Sequence, residues 1–134
     1  MMDNALGMLG LALRAGRLAV GEDAAGDACK TCSSRLLLTA KDASENTRQR
    51  AARFAGEGQC LLLESPWSKD EMGAALGRGA CAVAAVTDLG MARAVVQRLA
   101  AVDAAAYGPA AQRLELKAER AAQRKKPRRT RKSK

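Results

Sequence analysis

The sequence predicts an α/β domain: a three-layer α/β/α sandwich with a small mixed sheet of about four strands and helices on both faces. Three observations predict it. Short apolar runs that suit strands alternate along the chain with helix-like patterns. Two of those runs, 35–40 and 59–64, are continuous in apolar residues at their centres, as in strands buried on both faces. The chain has 134 residues, 48% of them hydrophobic, enough for one ordinary domain and too few for two. Aromatic residues make up only 2%, so the core must be built from Ala, Leu, Val and Met.

The elements follow in order. Residues 4–15 place Ala5, Leu6, Leu9, Ala12 and Leu13 near a period of 3.6, which predicts a helix closed by Gly16. Leu18-Ala19-Val20 is a short strand ending at Gly21. Glu22 and Asp23 open a second helix, where their charge suits the helix dipole, and it runs to about Cys32. Residues 35–40 form a central strand. Ser44 caps a third helix reaching Ala55, with Gly56 at its end. Residues 59–64 form a strand stopped by Pro66. Ser68 and Glu71 have the spacing of a capping box ahead of a short fourth helix ending at Gly77. Residues 81–86 form the last strand. Asp88 caps a helix whose inner face is Leu89, Ala92, Val95, Val96 and Leu99.

From Tyr107-Gly108-Pro109 onward the pattern changes, which predicts a folded domain over 1–106 and a basic, disordered tail over 107–134. Residues 110–126 show no continuous apolar face, and a transient helix is expected there at most. Pro127 and Arg128-Arg129-Thr130-Arg131-Lys132 read as disordered. The charge agrees with this division. Residues 1–112 hold 12 Lys/Arg and 12 Asp/Glu, whereas 113–134 hold 11 and 2, which accounts for the whole net charge of +9. A neutral body with a polycationic tail favours polyanions, above all nucleic acid, through counterion release. No apolar run is long enough for a membrane span. The start, Met1-Met2-Asp3-Asn4, lacks the basic region of a secretory signal. A cytoplasmic location is expected, with no membrane partner.

Enzyme chemistry finds little support. The chain has no histidine, which removes the commonest general base, the commonest zinc ligand and the usual Ser-His and Cys-His nucleophile arrangements. Cys29-Lys30-Thr31-Cys32 is a C-x-x-C, but it falls near the end of the second helix, where the dipole does not favour a thiolate. Cys60 and Cys81 begin two separate strands and read as core cysteines rather than a second zinc pair. Gly56-Glu57-Gly58 and Gly77-Arg78-Gly79 complete neither a dinucleotide nor a phosphate-loop motif. Asp23, Asp27, Asp42 and Asp88 lie at helix starts or in turns, where capping explains most of them. We therefore expect no catalytic residues, metal, cofactor or small-molecule substrate.

A binding surface on the body can be placed at Gly21-Glu22-Asp23. The first backbone N–H groups of a helix are free to bond a ligand. The neighbouring carboxylates repel phosphate but accept from guanine N1–H and N2–H₂, as suits a reader of exposed guanine edges in distorted RNA. Arg14, Arg17, Lys30 and Lys41 are the body cations expected nearest this surface.

The same residues carry a family resemblance. Residues 9–18, LGLALRAGRL, followed by Gly21-Glu22-Asp23, resemble the opening of bacterial YlxQ-like proteins. These form a branch of the kink-turn RNA-binding superfamily of large-subunit ribosomal proteins. Residues 40–47, AKDASENT, resemble that family's strand-to-helix turn. Residues 72–79, MGAALGRG, and 83–88, VAAVTD, resemble its last helix, loop and strand. The similarity spans about residues 4–100 in unbroken order. It implies a non-catalytic, ribosome- or translation-associated protein that binds kinked, structured RNA with tandem sheared G·A pairs, ribosomal RNA among the candidates. In the family, the start of the second helix reads the guanines, and the loop before the last strand packs on an extruded nucleotide. By position these are Gly21, Glu22 and Asp23, and Arg78, Gly79 and Ala80. Where well-characterised members carry Asn, Glu and Lys in the first element, this chain has Asp23, Ala24 and Asp27. Two other classes of function compete on sequence grounds: a protein-interaction scaffold whose tail binds acidic surfaces, and a small redox or metal enzyme using the cysteines.

Overall fold

The computed structural model describes residues 4–132, with side chains to residue 123. Its elements run α1 (Asn4–Arg14), β1 (Leu18–Val20), α2 (Glu22–Lys30), β2 (Leu36–Thr39), α3 (Glu45–Gly58), β3 (Leu61–Glu64), α4 (Lys69–Ala75), β4 (Val83–Val86), α5 (Leu89–Val102) and α6 (Ala104–Lys132). The strands form one sheet in the order β1-β4-β2-β3. β4 pairs antiparallel with β1 and with β2, and β2 pairs parallel with β3. The sheet is therefore mixed, as the sequence suggested.

The period-2 geometry of strands divides the apolar residues between two cores. Leu36, Leu38, Ala84 and Val86 point to one side, where α1, α4, α5 and α6 cover them. Leu37, Val83 and Ala85 point to the other, under α2 and α3. Every residue of β2 and of β4 is buried. Three layers result.

The expected caps form. The Ser44 hydroxyl accepts from Thr47 N at 3.1 Å. Ser68 and Glu71 close a capping box, each side chain accepting from the other's backbone N–H at 3.0 and 2.8 Å. Asp88 Oδ2 accepts from Met91 N at 2.9 Å. One helix end differs from expectation. α3 runs past Gly56 to Gly58, and Gln59 takes the left-handed conformation after it (φ 52°). The close packing of α2 against α3 explains the glycine at 58, because a Cβ there would meet the Cys29 carbonyl oxygen at 2.8 Å.

The larger difference lies at the C-terminal end. The sequence suggested a boundary at residue 106 with a disordered tail after it, but the backbone continues as α6 from Ala104 to Lys132. Tyr107, Ala110 and Leu114 of that helix are buried in the α1/α4/α5 core. The Tyr107 hydroxyl donates to the Glu64 carbonyl at 2.8 Å, tying α6 to the end of β3. Arg93 of α5 donates to both carboxylate oxygens of Glu115, at 2.9 and 2.8 Å. The packed domain thus extends at least to Leu114. The residues of the expected tail beyond Lys132, Ser133 and Lys134, lie outside the described residues.

Leu114 is 1% exposed and Leu116, two residues on, is 52% exposed. The substitution Leu114→Ala should lower unfolding free energy by about 2–5 kcal/mol, and Leu116→Ala by less than about 0.5 kcal/mol. Urea denaturation of the two variants measures both.

Candidate nucleic-acid interface

The strand register defines two ends of the sheet. Val20 pairs with Ala84, and Thr39 with both Val83 and Glu64, so Gly21, the 78–82 loop, Ala40-Lys41 and Ser65 emerge together at one pole. At the other pole, Leu18 and Leu36 both pair with Val86, and Arg17, Arg35 and Thr87 emerge there.

The first pole is stitched by backbone bonds. Gly21 N donates to the Val83 carbonyl (2.9 Å), Ala40 N to Ala82 O (2.9 Å), Lys41 N to Trp67 O (2.8 Å) and Cys81 N to Lys69 O (3.0 Å). Gly21 adopts φ 95°, which favours glycine, and so turns the chain sharply from β1 into α2. No side chain caps α2. The first intrahelical bond is Ala25 N to Gly21 O, leaving the amides of Glu22, Asp23 and Ala24 ahead of it. Asp23 and Ala24 are exposed.

The two carboxylates differ in what they can do. Glu22 is held by α3: its Oε1 accepts from Arg50 Nη1 at 2.7 Å and its Oε2 from Thr47 Oγ1 at 3.0 Å. The hydrogen bond from Arg50 holds its carboxyl below the ordinary value. Each Glu22 oxygen thus has one donor already, which fixes α2 against α3, and only its remaining lone pairs are open to a ligand. Asp23 has no side-chain partner among the described residues and is the carboxylate free to accept.

Beside the Gly21 turn lies the second predicted segment. Arg78, Gly79 and Ala80 are all exposed. Their loop sits directly on α4, where a Cβ at Gly73 would meet Ala80 Cα at 2.7 Å. Arg78 N donates to Gly73 O at 2.7 Å, and Gly77, at φ 72°, starts the turn. Lys41 is exposed at the same pole. Its carbonyl accepts from Arg48 Nη2 at 2.7 Å, and the Arg48 guanidinium also bonds the Ala43 carbonyl and the Glu64 carboxylate. Asp42 Oδ1 accepts from Lys69 N at 2.8 Å, which joins this loop to α4.

The pole thus brings together Gly21, Glu22, Asp23, Lys41, Arg78, Gly79 and Ala80. Of the other three cations, Arg17 lies at the opposite end of the sheet. Lys30 lies at the far end of α2, beside a shallow groove that it shares with Asp23, Asp27 and Phe54. Arg14 ends α1, and Arg17 precedes β1, with its carbonyl bonded to Thr87 N. Arg17 belongs to the opposite pole, because β1 separates it from Gly21, whereas the Arg14 guanidinium folds back toward Gly10, near the end of α4. Sequence reasoning also missed Thr47, Arg48 and Arg50, which hold the pole in shape. Their spacing on one helix gives no sign of partners on α2 and β3.

What remains at the surface is a set of amide donors, one free carboxylate and two cations. That set can accept from guanine imino and amino groups and donate to phosphate. Of the cysteines, Cys81 is buried under this pole, its Sγ donating to the Val83 carbonyl at 3.3 Å. Burial pushes the Cys29 thiol up to about 11, with Cys60 Sγ only 3.9 Å away adding to the shift. Cys32 is exposed beyond the end of α2. Among the described residues, no group of three or more Cys, Asp or Glu gathers as a metal site, and no helix is long and apolar enough to cross a membrane.

Comparison with known proteins finds relatives that match about 70% of this chain and nearly their own whole length. It is 34% identical over 96 residues to RNA-binding protein YlxQ of Bacillus subtilis (strain 168), a match covering 69% of this chain and 91% of that protein. The solved structure of a protein of unknown function from Bacillus halodurans superposes with a TM-score of 0.66 at 26% identity, covering 72% of this chain and 97% of that one. No family model matches.

The Glu22 bonds have a pH signature. A carboxyl held low in the folded state adds stability that is present above its ordinary value of 4.5 and lost as the pH falls through the folded value. At pH 7, Glu22→Gln should therefore be less stable than the parent by under about 1 kcal/mol. The gap should close as the solution is acidified below the ordinary carboxyl value. Denaturation curves of both proteins at neutral and acidic pH measure it.

Proposed function

Because the chain belongs to the YlxQ family, we propose that it is a non-catalytic RNA-binding protein that recognises kinked, structured RNA through the Gly21 pole. The observation that carries this reading is the adjacency of two segments. The uncapped first turn of α2, with Asp23 beside it, and the exposed loop 78–80 flank the same end of β4, joined by the bond from Gly21 N to Val83 O. Kinked RNA offers what such a surface needs: guanine edges stripped of ordinary pairing, and a nucleotide turned out of the stack. Asp23 accepts from a guanine edge, the amides of α2 donate, the 78–80 loop supports the extruded nucleotide, and Lys41 and Arg78 contact phosphate.

A division of labour follows from the charge. Residues 124–134 carry eight Lys/Arg (Arg124, Lys125, Lys126, Arg128, Arg129, Arg131, Lys132 and Lys134) and no acid. They supply affinity for any RNA through counterion release, while the pole supplies preference. Of the departures in α2, Asp27 replaces a cationic contact with a carboxylate and Ala24 removes a carboxylate, which leaves Asp23 as the exposed acceptor of the first turn. A ribosomal or translation-associated RNA is the target class the family resemblance favours.

The test is a salt-series titration against a kink-turn hairpin and a straight hairpin of equal length. The chain should be cut after Gln123, not at residue 113, so that Leu114 stays in the core. Removing 124–134 should weaken binding to both hairpins about equally and flatten the salt slope. Asp23→Ala should weaken the kinked hairpin alone, by roughly tenfold, as for loss of one good base contact. Equal losses on both RNAs for both changes would contradict the reading, and a full chain with no preference for the kink would favour a scaffold role instead.

A further inference from the structure

The opposite pole of the sheet carries a feature that the proposed recognition does not use. There, between α6 and the ends of β2, β3 and β4, lies an open cleft of about 580 Å³. Arg35 reaches it from the start of β2, Gln59 from the turn after α3, Thr87 and Asp88 from the end of β4, and Lys117 and Arg120 from α6. The three cations come from two elements 82 residues apart at closest (Arg35 to Lys117), so no local pattern in the sequence announces the cluster.

Its electrostatics point to an anion. Arg35, Lys117 and Arg120 are exposed and have no side-chain partner among the described residues. The contrast with Arg48, Arg50 and Arg93 is clear, since those three are paired with Glu64, Glu22 and Glu115. Among the described residues, Asp88 is the carboxylate lining the cleft, and one of its oxygens is engaged in capping α5. Arg17 emerges at the same pole, exposed and with no side-chain partner among the described residues. Three cations facing one carboxylate leave an excess of positive charge, and their mutual repulsion is relieved when a polyanion neutralises them.

The direction of α6 identifies the occupant. Tyr107, early in the helix, bonds Glu64 at the first pole, whereas Lys117 and Arg120 line the cleft at the second. The helix therefore runs from one pole to the other, and the eight cations of 124–134 follow in sequence from the second. A cationic cleft that no aromatic side chain lines fits a phosphodiester backbone, not a stacked base or a single nucleotide. We propose that Arg35, Lys117 and Arg120 form a second phosphate-binding site, which grips the backbone of an RNA arm extending from the element held at the Gly21 pole. The proposal rests on the RNA-binding reading, and its test separates the two.

The full-length protein, R35E/K117E and the charge-matched control R53E/R98E would be titrated against a minimal kinked hairpin, the same hairpin with one stem lengthened by a helical turn, and a straight hairpin matched in length to each. Circular dichroism would verify that all three are folded. Arg53 and Arg98 are exposed and lie outside the cleft, so the control makes the same charge change elsewhere. The full-length protein should bind the longer RNA more tightly. R35E/K117E should lose that gain, by roughly tenfold at about 0.1 M salt, while the control retains it and differs little from the parent on the minimal hairpin. Equal losses for the two variants would overturn the site, as would tight competition by a free mononucleotide for the longer arm. If the parent shows no kink preference but R35E/K117E still loses the longer arm selectively, the cleft stands and the Gly21 reading falls. If the parent binds neither RNA, both fall.

Discussion

β4 sits between β1 and β2, hydrogen-bonded to both, and its four residues Val83, Ala84, Ala85 and Val86 are buried from both faces. Two alanines at its centre let helices approach the sheet closely from either side. Because β4 runs antiparallel to both neighbours, its start lies beside the ends of β1 and β2. The loop before β4 is thereby brought against the Gly21 turn and against Lys41, although the segments are some 40–60 residues apart in sequence. Register transmits this constraint through the sheet: a slip of one residue would turn Val83 and Ala85 into the opposite core and break the bond from Gly21 to Val83.

Around that strand the helices act as struts. The Glu22 carboxylate, bonded to Thr47 and Arg50, fixes the start of α2 to the start of α3. Arg48 draws the Lys41–Ala43 loop toward Glu64, and Asp42 ties it to α4. The interface is rigid where these bonds act and open where they stop, at Asp23, Lys41 and Arg78. Individually such partly exposed pairs contribute little stability. Their effect is to hold neighbouring groups in one geometry, so that a ligand docking there has less to order.

Much of the fold was legible because local chemistry is written locally. Continuous apolar runs marked β2 and β3, and Ser44, Ser68, Glu71 and Asp88 marked three helix starts. What local patterns cannot give is pairing between distant elements. Glu22 looked like a free acceptor because nothing in GED signals Thr47 or Arg50. Arg17 looked close to Gly21 because it is close in sequence, yet a single short strand carries the chain to the other pole between them. α6 was misread for a different reason. Gly108-Pro109 resembles a turn and the dense charge beyond it resembles disorder, so the sparse stripe of Tyr107, Ala110 and Leu114 was overlooked. Three buried residues are enough to seat a helix when the facing core supplies the rest of the contact.

The central claim is that the first turn of α2 and the loop before β4 form one surface that RNA occupies. Amide hydrogen exchange followed with and without a kink-turn hairpin tests this residue by residue. The account predicts slowed exchange at Glu22, Asp23 and Ala24 together with Arg78, Gly79 and Ala80, and little change there with a straight hairpin. Slowing confined to α6, with both segments at the Gly21 pole left as fast as in the free protein, would contradict it.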